Sequence, residues 1–370
     1  MEINIFNEVE ALYPVFKGVV IKTFEGNSGK VYLVKNVPQN GALFVYPEFI
    51  AYKKCKSIKP DSFPIFLEEI DKWSKIKSRF IVPIQYVHKI NDEVYVCMRS
   101  ATDGTLSDLI KKGVDTISAF NYSIQIVKGL LDMRSSGLMY HQDLNPPNIL
   151  FEDLAYKFDS QGKPRFFKDN YEPFPPKNLH DSFRYRMMIS DFGMADYYVK
   201  DSVKGRRGGK FAFRAPEQYE NSNEAEFFEP DLFALGVILS LLFDGKHPTG
   251  KTVTFALSRS PSYNKSGGWS GWAQTGERKV DCENRRVRDL ILSLLSVCPK
   301  NRPSLNYCYD VLFDEFSKVD PFMAAYLQRS IAEYEDSYNQ SKQGKLTVEE
   351  TKIQQVVQEG FATRGNFTMR

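Results

Sequence analysis

His141-Gln142-Asp143-Leu144-Asn145-Pro146-Pro147-Asn148-Ile149-Leu150 places a carboxylate and, five residues later, a side-chain amide in one short segment. Downstream, Asp191-Phe192-Gly193 supplies a second carboxylate. These are the side chains that phosphoryl transfer from a metal-bound nucleotide requires. One carboxylate orients the attacking hydroxyl, while an amide oxygen and another carboxylate hold the metal that neutralises the phosphates. Arg214-Ala215-Pro216-Glu217 follows in order. Three ordered motifs at compatible spacings decide the reading where one alone would not.

The rest of the chain bounds what such a site can belong to. Its 370 residues suffice for one large or two smaller cores, and 42% hydrophobic with 26% charged residues is ordinary for a soluble globular protein. A net charge of +3 implies no long-range field of one sign, so nucleic acid and membrane surfaces are not expected partners. The five cysteines are scattered, with no Cys-x-x-Cys pair and no histidines grouped with them, which argues against zinc. The first ten residues lack the basic and apolar regions of a secretory signal, and the apolar run Leu232 to Phe243 is shorter than the ~20 residues a membrane span takes. A cytoplasmic protein with no membrane span is the expectation.

Val19-Val20-Ile21 and Val31-Tyr32-Leu33-Val34 are strand-forming runs separated by Glu25-Gly26-Asn27-Ser28-Gly29, a hairpin signal. Ala42 to Tyr46, Phe49-Ile50-Ala51-Tyr52 and Val94-Tyr95-Val96-Cys97-Met98 continue the strand-rich region. Within it, Leu67, Ile70, Trp73 and Ile76 form a helical stripe. After Thr102-Asp103-Gly104 the pattern turns helical, with Phe120, Ile124, Val127 and Leu131 on one face of Ile117 to Met133. Leu232 to Phe243 is apolar all round, as a central helix should be. Val287 to Val297 and the segment beyond Val311 read as further helices.

From Val19 to Phe313 these motifs and their order resemble the eukaryotic-type (Hanks-type) protein kinases. The resemblance implies an α+β, two-lobed fold with a small β-rich N-lobe carrying one main helix and a larger, mostly helical C-lobe. The expected divisions are an N-terminal extension at 1–18, the N-lobe at 19–98, the C-lobe at 99–313 and a helical extension at 314–370. It also implies ATP and Mg2+ as cofactors and a protein hydroxyl as acceptor, serine or threonine more than tyrosine.

By the same resemblance, Asp143 is the catalytic base, and Asn148 and Asp191 are metal ligands. Gly26 and Gly29 lie in Phe24-Glu25-Gly26-Asn27-Ser28-Gly29-Lys30-Val31, a phosphate-covering loop whose first glycine is replaced by Phe24. Val31, Ala51, Met98 and Leu150 are expected around the nucleotide. Aligning the first strand after the loop puts Pro47 at the lysine position; a longer connection instead matches Ile50-Ala51-Tyr52-Lys53 to the Val-Ala-Ile-Lys pattern. Lys53 then points inward and Lys54 outward. Its carboxylate partner is Glu69, with Glu68 as the alternative. Glu217 with Arg302 resembles the family's buried ion pair, and Asp231 the aspartate that anchors the catalytic-loop backbone.

The departures from the family are specific. Gln142 stands where many relatives have an arginine that pairs with an activation-loop phosphate. Asn145 replaces a lysine near the transferred phosphoryl, and Lys210 a threonine that touches the catalytic aspartate. Some 30 extra residues, rich in Phe, Tyr and Pro, lie between 151 and 186, a candidate docking surface for a partner. Two alternatives stay open: a pseudokinase scaffold that binds nucleotide without transfer, and a small-molecule kinase.

Overall fold

A computed structural model describes residues 16–26, 29–38, 49–55, 70–90, 93–100, 103–154, 179–192, 209–219, 228–258, 263 and 267–341. These fall into two compact units, one built on 16–76 and 82–102, the other on 77–81 and 103–340.

The first unit is an antiparallel sheet of β1 (Phe16–Gly26), β2 (Gly29–Pro38), β3 (Phe49–Cys55), β4 (Ile84–Ile90) and β5 (Glu93–Arg99), in the order β1-β2-β3-β5-β4. Alternation decides its faces: Val34, Ile50, Tyr52 and Cys97 are buried together, while Val19, Ile21 and Phe24 on the edge strand β1 are exposed. Residues 70–74 are helical, and Ile70, Trp73 and Ile76 are buried, as the stripe requires. The Trp73 indole donates to the Val82 carbonyl (2.9 Å). The candidate strand Ala42 to Tyr46 lies outside the described residues.

The second unit is mostly helical. A small sheet of β6 (Gly104–Thr105), β7 (Ile149–Asp153) and β8 (Tyr185–Ile189) accompanies α1 (Leu106–Lys112), α2 (Thr116–Ser135), α3 (Pro230–Phe243) and α4 (Val253–Leu257). α5 (Gly268–Thr275), α6 (Arg285–Leu294), α7 (Leu305–Val319) and α8 (Pro321–Ser341) complete it. α3 is buried at every residue from Pro230 to Leu242. Phe120 of α2 joins it to α7, its ring 4.9 Å from Phe243 and 5.3 Å from Phe316. Among the described residues, no helix is long and apolar enough to cross a membrane. The α+β expectation is met: one unit is a small antiparallel sheet, the other a helical body.

Helix α2 also carries buried polar residues, and these position β8. One edge of β8 pairs with β7; along the other, Gln125 donates to the Tyr185 carbonyl (3.2 Å) and accepts from the Met187 amide (2.8 Å). Asn121 accepts from Gln125 (2.9 Å) and donates to the Ser182 carbonyl (3.1 Å). A buried amide without such partners would cost about 1–3 kcal/mol, so the pair specifies how helix and strand dock. Of the inserted segment, residues 155–178 lie outside the described residues.

Candidate active site

The nucleotide-binding candidates of the sheet unit come together through strand register. Val31 faces Lys53 across β2 and β3, and Ala51 faces Met98 across β3 and β5. Lys53 is only 4% exposed, whereas its neighbour Lys54 is half-buried, as alternation along a strand requires. Gly26 and Gly29 form the last residue pair of β1 and β2. Glu69, its alternative Glu68, and Pro47 lie outside the described residues.

In the helical unit, one buried carboxylate anchors the start of the segment from His141 to Asn148. Asp231, in the first turn of α3, accepts from the main-chain amides of His141 (2.7 Å) and Gln142 (2.9 Å). Burial pushes the Asp231 carboxyl above the ordinary range; the two amides and the nearby His141 and Arg134 oppose that push. Gln142 sits at φ 63°, a left-handed conformation, and its side-chain amide is buried without a hydrogen-bond partner. His141 accepts the Asp143 amide at Nδ1 (3.3 Å) and donates from Nε2 to the Ser190 carbonyl (2.8 Å), which fixes the tautomer with its proton on Nε2. Its ring lies 4.9 Å from that of Phe192.

Asp143 is surrounded by donors. Oδ1 accepts from the Asn145 amide (2.7 Å) and from the main-chain N–H of Lys210 (2.9 Å). Oδ2 accepts from the Asn148 amide (3.2 Å), which also donates to the Asp143 carbonyl (2.8 Å). Asn148 thus turns its nitrogen toward Asp143 and leaves its side-chain oxygen for another partner. Ser190 donates to the Asn148 carbonyl through its amide (2.8 Å) and its hydroxyl (2.9 Å), binding the residue before Asp191 to the end of the segment from His141 to Asn148. Asp191 itself has φ 66°. Burial first, and the Asp191 carboxylate second, push the Asp143 carboxyl up. The side-chain oxygen of Asn148 and the carboxylate of Asp191 are oxygen donors of the kind that could hold a hard divalent cation. Leu150 follows in β7, paired with Met188 of β8.

Lys210 is where sequence reasoning fell short. Its side chain donates to the Leu257 carbonyl (2.8 Å), and it is the backbone that meets Asp143. No residue type announces a main-chain donor. Gly209 permits the approach: it has φ 99°, and a Cβ there would stand 2.6 Å from the Gln142 carbonyl. Asn145 replaces a cation by residue type alone, while its amide bonds to the Asp143 carboxylate and carbonyl are a feature of the folded chain.

The ion pair expected from Glu217 and Arg302 is present and bidentate (2.6 and 2.8 Å). Arg302 also donates to the carbonyls of Glu229 (2.8 Å), Ser296 (3.0 Å) and Val297 (3.4 Å).

Comparison with known proteins places this arrangement. The chain is 24% identical over 223 residues to an L-type lectin-domain containing receptor kinase VI.2 of Arabidopsis thaliana, covering 56% of this chain and 27% of that protein. It is 26% identical over 246 residues to a serine/threonine-protein kinase H1 homolog of Pinctada fucata, covering 65% and 50%. It is 22% identical over 316 residues to mitogen-activated protein kinase kinase kinase 7 of Drosophila melanogaster, covering 83% and 38%. The chain spans between about a quarter and half the length of these relatives. The family described as "Protein kinase domain" matches residues 22–313, well over half of the 370 residues. The chain belongs to the protein kinase domain family.

Proposed function

We propose that the protein transfers the γ-phosphoryl group of MgATP to a hydroxyl of a protein substrate, serine or threonine before tyrosine. The observation that carries this reading is the placement of Asp143, Asn148 and Asp191, with the nitrogen of Asn148 spent on Asp143 and its oxygen left over. Asn148 and Asp191 are the residues that would hold Mg2+, whose charge, when bound, neutralises the phosphates. Oδ1 of Asp143 is taken by two donors, so Oδ2 receives the acceptor hydroxyl and its proton. A carboxyl raised by burial and by a neighbouring anion is a better proton acceptor than an ordinary one. Lys53, paired with Glu69, is assigned to the α- and β-phosphates. Val31, Ala51, Met98 and Leu150 are assigned to the nucleotide, and Gly26 and Gly29 to the loop over the phosphates. The serine/threonine assignment is supported by the name of the Pinctada fucata relative.

The test is incubation with γ-phosphate-labelled ATP and Mg2+, alone and with a generic protein substrate. Asp143→Asn should lower turnover by ~10²–10⁴-fold with nucleotide binding retained, and Lys53→Ala should weaken transfer as well. A nucleotide-binding scaffold is the second reading, favoured by Asn145, whose amide is committed to Asp143 where relatives place a cation. Tight MgATP binding with no label on protein would decide for the scaffold.

A further inference from the structure

Residues 77–81 belong to the helical unit although the chain on both sides of them belongs to the sheet unit. What holds this short segment is α8, a helix beyond the span 22–313 that matches the family. We propose that α8 is an internal brace for the strand leading to Asp191, and that Arg79 is the positioning residue through which it acts. The role given to Asp191 rests on the kinase reading above.

α8 buries Met323, Ala324, Leu327 and Ile331 along one stripe. Its Tyr326 ring meets Phe183, just ahead of β8, at 5.7 Å. The same side of the helix also carries polar contacts. The Arg79 guanidinium donates to the Ser330 hydroxyl (2.9 Å) and to the Ser330 carbonyl (3.4 Å). Its central carbon lies 5.5 Å from the centre of the Tyr334 ring and 5.1 Å from that of Phe80, within cation–π reach of both. One residue further, Glu335 pairs with Lys128 of α2, which also pairs with Asp132. Asp132 accepts in turn from the Ser78 hydroxyl. Both residues before Phe80 are thereby tied to the helices around them.

Phe80 is the point of delivery. Its carbonyl accepts the amide of Ile189 (2.8 Å), and Ile81 forms an isolated parallel bridge to Ile189. Gln125 holds β8 as far as Met187; at Ile189, two residues before Asp191, that duty passes to Phe80. Gly129 of α2 makes room for the junction, since a Cβ there would stand 3.0 Å from the Phe80 carbonyl and 3.1 Å from the Ile189 side chain. One route from α8 to Asp191 therefore runs through the Arg79 side chain and the Phe80 main chain, and a planar fork can both donate to Ser330 and lie against two rings.

The experiment is amide hydrogen exchange on the full chain, comparing wild type with Ser330→Ala/Tyr334→Ala and with Arg79→Lys, beside kcat and KM for MgATP. Exchange of the Ile189 amide should rise about tenfold, the factor equivalent to ~1.4 kcal/mol, with no change in the amides of α3. In both variants kcat should fall more than KM changes. An Ile189 amide unchanged while α8 itself exchanges faster would overturn the brace, as would a uniform rise that includes α3. If the double variant does not fold, Arg79→Lys alone decides, because it keeps the charge and length and removes the fork. Absence of phosphoryl transfer in the wild type would count against the kinase reading alone; the exchange result would still decide the brace.

Discussion

Mild acid is expected to destabilise the helical unit through one buried histidine, His247. Its Nδ1 accepts the Thr249 amide (3.1 Å), with the Thr249 hydroxyl 3.0 Å away, and its Nε2 donates to the Ala212 carbonyl (2.8 Å), so a second proton would displace the Thr249 amide from Nδ1. Trp272 and Trp269 pack on the ring at 4.6 and 5.0 Å. Burial pushes the imidazole down from 6.5 to about 4, and the charges of Arg278 and Lys251 push the same way. The folded value is therefore depressed for a base, and between the two values the unfolded chain holds a proton that the native state lacks. Stability from this group is complete above the unfolded value and is lost as the pH falls toward the folded one. With those two values, moving from about pH 7.5 to about pH 5 removes about 2 kcal/mol. Urea unfolding followed by tryptophan fluorescence measures it, since two tryptophans border the ring. His247→Gln keeps two polar ends but cannot titrate, so its midpoint should lose about 2 kcal/mol less over the same interval. Equal losses in wild type and variant would refute the assignment.

Removing Arg302 strands a buried carboxylate, so Arg302→Met should destabilise by ~3–5 kcal/mol, while joint replacement with Glu217→Leu should recover most of that loss; thermal melts of the three variants check it. Gln142→Met deletes a buried amide that has no partner while keeping length, so melting should rise by the equivalent of about 1–2 kcal/mol. Gly209→Ala should lower turnover about tenfold or more, because a Cβ 2.6 Å from the Gln142 carbonyl displaces the chain that delivers the Lys210 amide. Steady-state kinetics with MgATP would reveal that loss.

Much of this was legible in the chain because the legible features are side chains at fixed spacing. The stripe through Phe120, Ile124 and Val127, the all-apolar α3, and the order of Asp143, Asn148 and Asp191 each state a period or a ligand set. Lys53 could be favoured over Pro47 because Ile50-Ala51-Tyr52-Lys53 matches a strand pattern, and strand alternation separates it from its neighbour: Lys53 is buried and Lys54 half-exposed. Gln125 could not be read: a polar residue inside a helix gives no sign that it serves as the hydrogen-bonding neighbour of a strand some 60 residues away. The junction at Arg79 was equally silent, since its meaning depends on a helix about 250 residues further along. Glu69 and the connection at 155–178 lie outside the described residues, so those expectations stand as they were.

The main-chain contact between Lys210 and Asp143 has a consequence for how the sequence can drift. A threonine hydroxyl in that role would be lost by almost any substitution, whereas an N–H is supplied by every amino acid except proline. The contact with Asp143 therefore leaves the side chain at position 210 to its separate bond with the Leu257 carbonyl, and the constraint of that contact moves one residue back, to a glycine that no side chain can replace without collision. Among descendants of this chain, residue 210 should tolerate more change than residue 209, which should stay glycine.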